Sequence, residues 1–235
     1  MKACPVLGIE TCGKSTGLAL AASGKVLAEA VEDSGSNHNE VLMPLLELLL
    51  KEAEVNVNEL AGIGVDMGPG MFTSLRVGVS TAKGLAIAHR IPVVGLSSLW
   101  GLARTALPSL EGVLAVIDAR KQQVYAALHL DGKTPFPPMV ATPGDLAAEV
   151  SRTLAGRTSL VAAGDGIDLC SEPFASAGIR LEPSGIAVPS PGVIAIEAAE
   201  RVAKGQIDNI ASLEPLYLRR TDAELTRELK SGPKR

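Results

Sequence analysis

Shifted by 108 positions against itself, the chain pairs Ile9 with Ile117, Glu10 with Asp118, Ala19-Leu20 with Ala127-Leu128 and Gly24-Lys25 with Gly132-Lys133, without a gap. Each block reads as an apolar strand ending in a carboxylate, a tight turn, a second strand and a Gly-Lys turn. So few matches also arise between unrelated hairpins, but here the order of the elements that follow repeats as well. The pattern predicts a duplicated βββαβα unit, with two similar lobes and a cleft between them. The lobes are expected over 1–108 and 109–220. A mixed-charge tail at 221–235, poor in apolar residues, is expected to be flexible and to carry no site.

In the first lobe, strands are predicted over 5–10, 16–22 and 25–31, then a helix capped by Asn37 or Asn39 that runs to residue 54. A strand at 60–65, a helix at 73–90 stopped by Pro92, a strand at 91–96 and a helix from Ser97 or Ser98 to Leu107 complete it. The second lobe restarts with strands at 113–118 and 123–130, a proline-rich connector at 134–138, and helices at 145–155 and 191–205.

Composition narrows the function. Hydrophobic residues make up 46% and charged residues 20% of the 235, which predicts a folded globular protein. Aromatics are only 3% and the net charge is -4, so neither a stacking platform for bases nor a broad phosphate-binding surface is expected. Cys4, Cys12 and Cys170 lack metal-like spacing and read as reduced, buried thiols. With no signal-like start and no uninterrupted apolar span, the expectation is a cytoplasmic protein that does not enter a membrane.

Between the strand at 60–65 and the following helix lies Asp66-Met67-Gly68-Pro69-Gly70-Met71-Phe72-Thr73-Ser74-Leu75-Arg76-Val77-Gly78. A strand, a glycine-rich turn and a helix start can aim backbone N–H groups at an anion. The stretch has no lysine and no neighbouring histidine to do chemistry. It is better read as a rigid start for an interface helix, with Gly68 and Gly70 shaping the turn and Thr73 capping.

The repeat with its strand-end carboxylates follows the plan of the actin, Hsp70 and sugar-kinase superfamily (ASKHA, ribonuclease H-like), an α/β fold of two lobes, each a mixed sheet with flanking helices. Within it, Gly68-Pro69-Gly70-Met71-Phe72-Thr73-Ser74-Leu75-Arg76 resembles the Gly-Pro-Gly-Ser-Phe-Thr-Gly-Leu-Arg signature of the TsaB (YeaZ) family. Ala82-Lys83-Gly84-Leu85-Ala86, Ile117-Asp118-Ala119-Arg120, Val124-Tyr125 and Pro215-Leu216-Tyr217-Leu218-Arg219 match that family in the same order. The chain departs from the pattern at Glu10, where Asp is usual, at Met71 for Ser and at Ser74 for Gly.

The resemblance implies a non-catalytic accessory subunit for threonylcarbamoylation of the adenosine beside the tRNA anticodon. Its implied partners are a catalytic homologue, TsaD, and a small ATPase, TsaE, with tRNA met through the complex. No cofactor of the chain's own is implied; ATP or ADP would sit at a surface shared with partners. The alternative is an independent ATPase or sugar-kinase-like phosphotransferase.

Three groups of residues carry these expectations. Glu10, Thr11 and Asp118 mark the superfamily's nucleotide site, here vestigial: the carboxylates either hold a magnesium–nucleotide complex or cap their own turns. His38 stands alone on its helix start, a capping or surface residue, and no metal site is expected. On the helix from 39, Val41, Leu42, Met43, Leu45, Leu46, Leu48, Leu49 and Leu50 cover more than one face, while Ser74, Gly78, Ala82 and Ala86 form a ridge of small residues. Either further layers of the chain cover both faces or a partner does. In the family these two helices form the dimer interface, so an interface with the catalytic homologue or in a homodimer is expected at Leu42, Leu45, Leu46, Leu49, Gly70, Phe72, Ser74, Gly78 and Ala82. Arg76, with Asp66 as an internal partner or an anionic ligand, and Arg120 join it.

Overall fold

The computed structural model describes residues 4–33, 35 and 37–218. The tail at 221–235 and Arg219 of the last motif lie outside the described residues.

Two five-stranded sheets share one topology. The first is built from β1 (Val6–Glu10), β2 (Ser15–Ala22), β3 (Lys25–Asp33), β4 (Gly62–Asp66) and β5 (Val93–Leu96) in the order β3-β2-β1-β4-β5. The second, from β6 (Val113–Arg120), β7 (Gln123–His129), β8 (Met139–Ala141), β9 (Ser159–Ala163) and β10 (Arg180–Pro183), has the order β8-β7-β6-β9-β10. In both sheets the first three strands are antiparallel and the last two join in parallel. The Gly-Lys turns also match in detail: Ser23-Gly24 has φ of 52° and 73°, Asp131-Gly132 has 49° and 73°. This is the duplicated actin/Hsp70-like fold.

Helices α1 (His38–Glu52), α2 (Phe72–His89), α3 (Ser98–Ala106), α4 (Pro143–Thr153), α5 (Ile167–Ser176) and α6 (Pro191–Ala203) cover the sheets. The elements at β8, β9, α5 and β10 were not expected from sequence. α1 and α2 lie on one face of the first sheet, where Leu7, Ile9, Leu18, Leu20, Ile63 and Val65 meet Leu42, Leu45, Leu46, Leu49, Val79 and Ala82. The opposite face carries small residues, and α6 sinks onto it: a Cβ on Gly8 would lie 2.4 Å from the Pro191 carbonyl oxygen, and one on Gly64 2.6 Å from the Ala198 Cβ. Strand alternation produces this split, because large and small residues alternate along β1, β2 and β4.

α3 and α6 change places between the halves. α3, from the first half of the chain, packs Leu99, Leu102 and Ala103 against Val113, Ala115, Ile117 and Ala127 of the second sheet. α6, from the second half, covers the first sheet. The layers therefore run α1 and α2, first sheet, α6 with α3, second sheet, α4 and α5. The inner strands of each sheet are buried on both faces, which is why β1, β2, β4 and β6 are so apolar, while the edge strands β3 and β10 stay exposed and charged.

No helix among the described residues is long and apolar enough to cross a membrane. Cys12 and Cys170 are buried free thiols, whereas Cys4, expected inside, is exposed.

Candidate functional site

β1 and β4 are parallel neighbours in register, Ile9 beside Val65, so both end at the same edge of the first sheet. Glu10 and Asp66 continue the small-residue face and meet there. Both are buried, and Cys12 lies with them: one ligand atom from each falls within 4.8 Å of the others. Glu10 Oε1 accepts the Cys12 N–H at 2.7 Å. Asp66 Oδ1 accepts the Gly68 N–H at 2.8 Å and the Ser98 hydroxyl at 2.5 Å.

Burial sets the protonation of this group. It pushes the Glu10 carboxyl up to about 8, with the Asp66 charge adding to the rise, and the Asp66 carboxyl up to about 6. The Cys12 thiol is raised well above its usual value by burial and by both carboxylates. At neutral pH Glu10 and Cys12 therefore hold their protons beside a largely ionised Asp66, and a cation would have to displace both protons.

Asp118 lies at the end of β6. Its Oδ1 accepts the Arg120 N–H at 2.7 Å, its Oδ2 pairs with Arg120 Nη1 at 3.0 Å, and its own N–H donates to Asp165. Glu10, Asp66 and Asp118 thus all bond the N–H two residues ahead, capping their own turns. Turn capping, one of the two roles open to Glu10 and Asp118, is present in the structure. Thr11, named with them for a nucleotide, faces the interior: its hydroxyl is buried without a partner and lies where a Cβ on Gly78 would come within 2.4 Å.

The glycine-rich loop is partly bonded from within. Gly68 N–H goes to Asp66, Met71 N–H donates to the Cys12 carbonyl at 2.9 Å, and Ser98 N–H donates to the Gly68 carbonyl at 2.9 Å. Thr73 does not cap α2. The cap position is Met71, without a side-chain bond, and the Ser74 hydroxyl donates back to the Met71 carbonyl at 2.9 Å.

Arg76 does not pair with Asp66, which lies buried with partners of its own. Its guanidinium stacks 3.7 Å from the Phe72 ring centre, and its Nε donates to the Tyr217 hydroxyl at 3.0 Å. The Phe72 and Tyr217 rings lie 5.2 Å apart. Leu216 N–H donates to the Met67 carbonyl at 2.7 Å and Lys83 Nζ to the Leu213 carbonyl at 3.0 Å, so the C-terminal motif is strapped along the loop and α2. A groove of about 600 Å³ opens beside this stack, lined by Arg76, Ser80, Lys83 and Glu214 among others. Tyr217 belongs to the C-terminal motif, so this stack brings two family motifs together across the fold.

The leucines expected at an interface are in the chain's own core. Leu42, Leu45, Leu46, Leu49, Ser74, Gly78 and Ala82 are all buried, because four of the leucines share the face of α1 that lies on the sheet. The large apolar side chains that α1 and α2 leave exposed are Met43, Leu48, Phe72 and Ile87, with Arg76 beside Phe72 and Gly70 half-buried. His38 is buried too, its Nδ1 2.9 Å from the Thr16 hydroxyl, and is no surface residue.

Comparison with known proteins adds three findings. A family model described as TsaD, tRNA N6-adenosine threonylcarbamoyltransferase, matches residues 26–165. The tRNA threonylcarbamoyladenosine biosynthesis protein TsaB of Bacillus subtilis is 35% identical over 53% of this chain and 54% of its own length, and that of Escherichia coli is 26% identical over 91% and 94%. The chain thus spans about half the length of the first of these curated relatives. The solved structure of YeaZ from Pseudomonas aeruginosa superposes with a TM-score of 0.74 and 25% identity, covering 91% of this chain and 99% of that one.

Proposed function

Because the chain belongs to the TsaB (YeaZ) family, we propose that it serves tRNA threonylcarbamoyladenosine biosynthesis as an accessory subunit with no chemistry of its own. It docks on a TsaD-like catalytic homologue, the assembly recruits a TsaE-like ATPase, and tRNA is met through the complex. ATP or ADP, in this reading, is held at the shared surface, and the work is done in the cytoplasm.

One observation carries the reading. The family signature at 68–76 uses Gly68 and Met71 N–H groups on Asp66 and Cys12, while its side chains Phe72 and Arg76 stand outside, stacked with Tyr217. A loop whose Gly68 and Met71 N–H groups are spent inside the chain, and which displays an aromatic–guanidinium stack, suits a macromolecular contact better than phosphate transfer. The docking surface then consists of the exposed Met43, Leu48, Phe72 and Arg76.

Gel filtration of the chain mixed with a TsaD-like homologue tests this. A stable complex is expected, weakened at least about tenfold by Arg76→Glu combined with Leu48→Asp. Unchanged assembly by the folded double variant would remove this surface. Magnesium-dependent nucleotide turnover by the purified chain, abolished by Asp118→Ala, would support the independent phosphotransferase instead.

A further inference from the structure

A second site lies where α3 meets β7. Ser97 stands at the cap position of α3, yet its side chain caps no N–H group and its hydroxyl is buried without a partner. His129, at the end of β7, is 5% exposed. Its Nδ1 lies 3.3 Å from the Thr134 hydroxyl, while Nε2 is buried and unpartnered. Both residues line one cavity of about 300 Å³, whose other walls include Leu99, Trp100 and Phe136.

Buried polar atoms are almost always bonded, so two orphans on one cavity call for a partner. The donors fit an anion. The first turn of a helix leaves N–H groups without intrahelical acceptors, and an idle Ser97 leaves those of Leu99 and Trp100 uncapped. In the tautomer whose Nδ1 accepts the Thr134 hydroxyl, His129 presents Nε2–H as a donor to the cavity. Trp100, whose ring has the Arg104 guanidinium 5.9 Å from its centre, and Phe136 give the cavity aromatic walls that suit a flat ring.

We propose that this cavity binds a small aromatic monocarboxylate, the carboxylate taken by Ser97, His129 and the start of α3, and the ring held by Trp100 and Phe136. The size is that of a small-molecule site, which begins at roughly 300 Å³. The site is independent of the docking surface and of the function proposed above.

Trp100 is the single tryptophan of the chain, so its fluorescence reports on the cavity directly. Titration of the full chain with phenylacetate is expected to give a saturable change with a Kd of about 1 mM or tighter. Phenylacetamide, which keeps the ring and loses the charge, is expected to bind at least about fivefold more weakly. Ser97→Ala and His129→Phe should each weaken phenylacetate by about five- to tenfold, with circular dichroism checking the fold; if His129→Phe unfolds, Ser97→Ala decides. Saturable binding whose amide NMR shifts centre on Leu99 and Trp100 supports the site. No saturation, equal affinity for the amide, unchanged affinity in the folded variants, or shifts centred elsewhere would overturn it.

Discussion

A Cβ placed on Gly70 would lie 2.6 Å from the Cys12 carbonyl oxygen, the same oxygen that accepts the Met71 N–H. The turn after β1 and the glycine-rich loop therefore touch backbone to backbone, and the nearby atoms, Cys12 O, Cβ and Cα, cannot rotate away. Gly70→Ala is expected to cost about 2–3 kcal/mol in a urea melt, as overpacking does elsewhere. A cost below about 0.5 kcal/mol would show that the two loops can part freely.

Gly78 gives a coupled test. Alanine would add about 1 kcal/mol of helix propensity in α2, but its Cβ would meet the Thr11 hydroxyl at 2.4 Å. Gly78→Ala alone should destabilise by about 1–2 kcal/mol, and much of that should return on a Thr11→Ala background. Simple additivity of the two changes would mean that the contact is not felt.

Burial raises Glu10 from an ordinary 4.5 to about 8, so the folded chain keeps a proton that the unfolded chain releases. Its stabilising effect is complete below the unfolded value and is lost as pH rises towards about 8. His38 and His129, both lowered by burial, titrate below about pH 6.5 and do not offset this. Thermal melts should show stability falling by about 2 kcal/mol, or roughly 5 °C in Tm, between about pH 6.5 and pH 8.5. Glu10→Gln, neutral throughout, should flatten the profile; an equally steep profile in that variant would assign the effect elsewhere.

Leu46 and Leu48 sit two positions apart on α1 with opposite fates, 3% and 49% exposed. Leu46→Asp buries a charge in the core and is expected to unfold the chain or cost more than about 3 kcal/mol. Leu48→Asp should change stability by less than about 0.5 kcal/mol. A folded Leu46→Asp variant would contradict the packing of α1 on the sheet.

Much of the fold was legible because two signals agreed. Large and small residues alternate along β1, β2 and β4, and the Gly24 and Gly132 turns recur at one spacing. The second half was harder to read: β8 and β10 are very short, and α5 carries Pro173 inside it. At the site, turn capping by Glu10 and Asp118 was among the roles expected. The Glu10–Asp66 meeting was not, since it depends on β1 and β4 being adjacent. Nor did local sequence say which face of α1 is buried, because a helix with apolar residues around most of its girth leaves that to the sheet. Arg76 reached Tyr217, 141 positions away, a contact no local pattern encodes.

An accessory role in tRNA threonylcarbamoyladenosine formation can be measured by reconstitution. A TsaD-like homologue and a TsaE-like ATPase from the same organism are combined with tRNA and substrates, with and without this chain, and the modified nucleoside is measured. Product is expected only when the chain is present, undiminished by Glu10→Gln if that variant folds. Equal product without the chain, or product formed by the chain alone, would contradict it.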